Sequence, residues 1–211
     1  MEAWLIVQAL WLFLPAYVAN MSPVFSAKLF PWWPHPIDGG RSRDDGTRIL
    51  GDGKTWRGLV GGAVTGGLAA LAMAAIAPHW ILVEGWDFGT HPAAGPCDGG
   101  CGAGTTPTWA VFAFGAVVGF MALVGDVAES YVKRRTGRPR GAPWFPFDQL
   151  DFVVFGLIGM VLGAPLLIDG WVQEALLGHW LVLTTILVGT PGLHILVNRI
   201  GYWLKLKDVP H

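Results

Sequence analysis

The chain has 211 residues, 53% of them hydrophobic and 14% charged, with a mean hydropathy of +0.47; soluble domains carry charge on about a quarter of their residues. The apolar content excludes a disordered chain, and 14 Lys and Arg against 15 Asp and Glu leave no basic excess for nucleic acid. At roughly 20 apolar residues per crossing, the length suits an all-α integral membrane protein of one domain, 1–211, with about five transmembrane helices.

In chain order, the first apolar stretch is Ala3–Ala19. Only Met1 and Glu2 precede it, so it lacks the basic flank of a signal peptide and is expected to stay as a helix. A polar loop follows, containing Asp38-Gly39-Gly40 and Gly51-Asp52-Gly53-Lys54-Thr55-Trp56-Arg57. A Walker A loop needs glycine where Arg48 stands, so a Walker ATPase is rejected. The glycine turn still leads into a helix, where backbone N–H groups with Lys54 and Arg57 suit phosphate.

The second span is expected over Leu59–Leu82 and the third over Thr108–Val124, with Gly62/Gly66 and Gly115/Gly119 at the spacing that lets helices approach closely. Between them lie the chain's two cysteines, Cys97 and Cys101, either a small disulfide loop or free thiols. Four histidines, His79, His91, His179 and His194, lack ligand spacing and are expected to be structural. Continued as a helix, the third span places Asp126, Glu129, Ser130 and Lys133 on one face. The fourth span, Leu150–Ile168, starts beside Asp148 and Asp151, three residues apart where a helix dipole favours negative charge. Facing each other, stripe and pair would converge several oxygens on a hard cation such as Mg²⁺. Asp126, Asp148 and Asp151 are the expected metal ligands, with Glu129 weaker; Lys54, Arg57, Lys133 and Arg134 are expected on phosphates, and Ser130 beside them. The last span is expected over Leu176–Val197.

Every Lys and Arg falls in the first loop, in the segment between spans three and four, or in the tail. The other side, comprising the N-terminus, 83–107 and 169–175, has none. The positive-inside rule therefore puts the N-terminus outside, the C-terminus in the cytosol, and both charged loops on the cytosolic face, where they would form the active site. A transporter would need ionisable residues near mid-span, and there are none. A non-catalytic lipid- or nucleotide-binding protein would explain the topology but not the converging carboxylates.

Gly125-Asp126, Ser130, Lys133-Arg134 and Asp148-x-x-Asp151 resemble the signature of the CDP-diacylglycerol synthase superfamily of membrane cytidylyltransferases. Pro15-Ala16-Tyr17-Val18-Ala19-Asn20, Asp38-Gly39-Gly40, Gly51 to Gly58 and Arg140-Gly141-Ala142-Pro143 extend the resemblance to its archaeal branch, over essentially the whole chain. The chain lacks the glycine and histidine run of the phosphatidate enzymes and has Gln149 where they place Arg, which points to the archaeal branch. The resemblance implies transfer of cytidylate from CTP to an isoprenoid ether lipid phosphate, with phosphatidate as the alternative acceptor. It implies Asp126, Lys133, Asp148 and Asp151 as catalytic residues, and Gly51, Asp52, Gly53, Lys54, Thr55, Arg57, Ser130, Arg134 and Arg140 as substrate-binding residues.

Overall fold

The computed structural model describes residues 2–51, 53–76, 106–138, 144–168, 171–193, 196 and 203. The expectations for Asp52, Arg140, His79, His91, His194 and the Cys97–Cys101 pair fall outside these residues. Among the described residues the structure is helical, without strands. Its helices are α1 (Glu2–Leu12), α2 (Leu14–Leu29), α3 (Trp56–Ile76), α4 (Thr108–Arg135), α5 (Phe147–Leu167), α6 (Trp171–Gly178) and α7 (Trp180–Thr184), the last passing into a π-helical turn, Thr185–Gly189.

Among the described residues, three helices, α3, α4 and α5, are long and apolar enough to cross a bilayer singly. The first expected span differs from its sequence pattern: α1 and α2 meet at Phe13 with a 46° bend, and qualify as a crossing only together. Pro15, in the first turn of α2, has no N–H to offer the Trp11 carbonyl, and its ring crowds that carbonyl, so one straight helix cannot run through. Helix α2 then continues to Leu29, ten residues beyond the expected end at Ala19. The last expected span is also divided, with His179 in extended conformation between α6 and α7; among the described residues its apolar helix covers Trp180–Leu193.

Helix α4 is central, packed between α3 and α5 with α2 against both α3 and α4. In lipid, helix association depends on packing rather than on water exclusion, so close approach matters. Gly66 and Gly115 touch backbone to backbone, as do Gly62 and Gly119, and a Cβ on any of the four would strike the facing helix. Buried Phe13, Phe114, Phe152, Val153 and Met160 are among the large side chains of a core shared by these helices. The Tyr17 hydroxyl lies 2.7 Å from Thr190 Oγ1, tying α2 to the helix that follows the π turn.

Candidate active site

The first loop is folded by its own residues. Its ends are held where Ile37 N–H donates to Lys54 O (2.9 Å) and Trp56 N–H to His35 O (3.0 Å), with isolated bridges at Pro36–Thr55 and Ser42–Arg48. Asp38 is the hub. One carboxylate oxygen accepts Gly40 N–H at 3.0 Å and Arg48 at 3.3 Å, and the other accepts Leu50 N–H at 2.9 Å. Burial pushes the Asp38 carboxyl up, but these donors outweigh it and hold it below the usual carboxylate range. Gly39 and Gly40, with φ of 62° and 76°, complete a turn that a side chain would strain. The sequence shows the Asp-Gly-Gly turn, but not that Asp38 fastens the loop twelve residues on.

The loop is docked on α4 through Gly51 N–H, which donates to Ser130 Oγ at 3.3 Å. Thr55 then caps α3, its hydroxyl accepting Gly58 N–H at 3.3 Å. Between these two anchors Lys54 reaches α4, with Nζ 2.6 Å from Asp126 Oδ2.

Helix α4 carries Asp126, Glu129, Ser130 and Lys133 on the one face its periodicity requires, and α5 brings Asp148 and Asp151 to that face. Gly125 makes this possible: a Cβ there would collide with the Asp151 backbone carbonyl, so the two helices touch immediately beside Asp126. Oxygens of Asp126, Glu129 and Asp151 lie within 4.8 Å of one another. Asp148 is arranged differently. It forms an ion pair with Lys133 and accepts Trp144 N–H at 2.8 Å, while Lys133 also pairs with Glu129 at 2.8 Å. The structure thus groups Glu129, which the sequence pattern ranks last among the carboxylates, with Asp126 and Asp151.

These residues line an open cavity of about 290 Å³, with Gly51, Gly53, Lys54, Ser130 and Arg134 in its wall. Two expected phosphate contacts are not brought into it. Thr55 lines a small neighbouring cleft, and Arg57 turns away to donate to Phe30 O at 2.9 Å. Lys54 pairs with Asp126, and Lys133 with Glu129 and Asp148, so the cavity holds both cationic groups suited to a polyanion and carboxylates suited to a hard cation.

A family model described as CarS-like, CDP-archaeol synthase, matches residues 3–83 and 103–211. The chain belongs to the CDP-archaeol synthase family. A model of the cytidylyltransferase family matches residues 52–137, which include Lys54 and the α4 stripe. CDP-archaeol synthase of Halobacterium salinarum is 41% identical over 205 residues, covering 97% of this chain and 96% of the relative. The CDP-archaeol synthases of Halorubrum lacusprofundi (39% identical; 98% and 97% covered) and Methanococcoides burtonii (38%; 93% and 99%) match along almost their whole lengths. A solved structure of an intramembrane enzyme for archaeal membrane lipids biosynthesis has a TM-score of 0.54 and 30% identity, over 83% of this chain and 92% of that one. Membership of the family, the likeness to an intramembrane enzyme and the apolar helices make this a multi-pass membrane protein; the cavity lies against the C-terminal part of α4, which carries the charged stripe.

Proposed function

We propose that this protein transfers cytidylate from CTP to the phosphate of 2,3-di-O-geranylgeranylglyceryl phosphate, releasing pyrophosphate and forming unsaturated CDP-archaeol. The observation that carries this reading is the cavity itself, where three carboxylates of α4 and α5 stand within reach of Lys54, Lys133 and Arg134 at the end of apolar helices. The names of the relatives select the ether lipid over phosphatidate as acceptor.

The acceptor phosphate is ionised near neutral pH, so its oxygen can attack the α-phosphorus of CTP without a dedicated base. The difficulty is electrostatic, since two polyanions must be held in line. Lys54 on the glycine turn and Lys133 and Arg134 on α4 reduce that repulsion. Asp148 orients Lys133 by ion pairing, and Ser130 holds the glycine turn against α4. Asp126, Glu129 and Asp151 suit Mg²⁺, a fit already visible in Lys54, whose ammonium lies against Asp126 of this cluster. When bound, Mg²⁺ supplies charge neutralisation for the transferring phosphoryl group.

The full arrangement we infer is a single domain with five crossings, the N-terminus outside, the C-terminus in the cytosol and the cavity on the cytosolic face, so that CTP enters from water while the lipid tails stay among the helices. Purified protein incubated with CTP, Mg²⁺ and the ether lipid phosphate should release pyrophosphate and form the CDP lipid. Turnover with phosphatidate but not the ether lipid would select the ester reading instead. Absence of release with both would remove the cytidylyltransferase reading.

A further inference from the structure

We infer that Lys54 is an internal counter-ion for the metal cluster, so that cation and nucleotide must bind as a linked pair. This inference rests on the cytidylyltransferase reading and concerns how its site fills. Lys54 Nζ stands 2.6 Å from Asp126 Oδ2, and Asp126 offers an oxygen within 4.8 Å of those of Glu129 and Asp151. A divalent cation held by those carboxylates would share Asp126 with an ammonium group, and like charges at such range repel strongly. Lys54 must therefore leave Asp126 for the cation to enter. Its backbone is held by the Lys54 N–H to Gly51 O bond (3.0 Å) and its side chain faces the cavity, so an anion in the cavity is the available new partner. A triphosphate satisfies Lys54 as it is displaced; a cation alone leaves it unpaired against the cluster. By reciprocity, whatever factor the nucleotide adds to cation affinity, the cation adds to nucleotide affinity.

The test is Mn²⁺ binding to the full-length protein in detergent, measured as Mn²⁺ retained with the protein after free ion and free Mn²⁺–CTP are separated from it, at one fixed free Mn²⁺ concentration, with and without CTP and with no lipid acceptor. The parent should bind Mn²⁺ alone weakly and about tenfold or more tightly with CTP, the scale of a charge-assisted contact made or lost. Lys54→Met and Lys54→Gln should bind Mn²⁺ alone about fivefold more tightly than the parent, the scale of a partly exposed ion pair removed. In both variants the enhancement by CTP should shrink. A gain in affinity cannot come from misfolding, and two substitutions guard against the loss of either. Variants that bind Mn²⁺ alone no better than the parent, while the parent binds it normally with CTP, would overturn the exchange and leave the metal site standing. If no protein bound Mn²⁺ even with CTP, the metal site and the exchange would fall together.

Discussion

Asp148 and Asp151 stand three residues apart on one helix, yet their surroundings differ. Asp148 lies in the first turn of α5, where its carboxylate reaches back to Trp144 N–H and across to Lys133. Asp151, one turn deeper, faces the Gly125 contact and joins Asp126 and Glu129. With CTP present, Glu129→Gln and Asp151→Asn should each weaken Mn²⁺ binding by at least about tenfold, the loss expected when support for a bound ion is removed. Asp148→Asn should leave that affinity near the parental value while lowering turnover, because Lys133 loses one of its two orienting carboxylates. Equal losses of Mn²⁺ affinity in all three would return Asp148 to the ligand set. Periodicity showed which residues share a face, and all of those are in the cavity. It could not show that a carboxylate in the first turn would satisfy a backbone N–H and a lysine, because that depends on side-chain direction and on where α4 ends. Asp38 provides a pH test of the loop. Its folded carboxyl is held below the ordinary range, so its stabilisation is complete above about pH 4 and is lost as pH falls through the lowered folded value. Hydrogen exchange at Leu50 N–H, corrected for intrinsic rates, should therefore show steady protection at neutral pH and release in acid. Asp38→Asn should exchange about tenfold faster or more already at pH 7, since a hydrogen bond to a charged acceptor is lost.

At the scale of elements, the site depends on how closely α4 and α5 approach at Gly125. Gly125→Ala would force the Asp151 carbonyl away, and overpacking of this kind costs ~1–3 kcal/mol. The melting temperature should fall and cytidylyl transfer should fall further than stability does, because Asp126 and Asp151 separate. Gly163→Ala, whose Cβ would sit 3.4 Å or more from Val117 and Phe114, should be tolerated. Comparable activity in the two variants would show that the close approach does not govern the site. The small-residue spacing in α3 and α4 was legible from sequence because a crossing repeats at the helical period. The break at Phe13 was written in Pro15, but an unbroken apolar run concealed it: hydropathy reports length and says nothing of which carbonyl loses its donor. The division at His179 carries a weaker sequence signal still, since Gly178 is the only residue there that disfavours a helix.

Across the whole molecule, the division of basic residues is the strongest topological signal, since no short-range structure is needed to count it. With Cys97 and Cys101 changed to alanine, a cysteine placed at Thr90 should react with an impermeant thiol reagent from outside and one at Arg138 should not. The reverse would invert the orientation proposed for the cavity. Helix content was similarly legible, because every long apolar segment must satisfy its backbone internally in lipid. The fold of the first loop was not, because its order comes from Asp38 meeting Arg48 and from Gly51 meeting Ser130, across distances that no local pattern encodes.

The chain segments that supply the charged cavity carry aromatic side chains left in the open. Phe145 and Phe147 are exposed and precede Asp148 in the chain, and Trp32, Trp33 and Trp56 are exposed at the two ends of the first loop. Such rings settle at the level of lipid headgroups, so with the acceptor proposed above the cavity would draw on a two-dimensional solution of its own substrate. The concentration that matters there is a mole fraction, not a molarity. Diluting the ether lipid phosphate with inert detergent, at constant bulk concentration, should slow the reaction; adding more mixed micelles of fixed composition, once the protein is fully incorporated, should not change it.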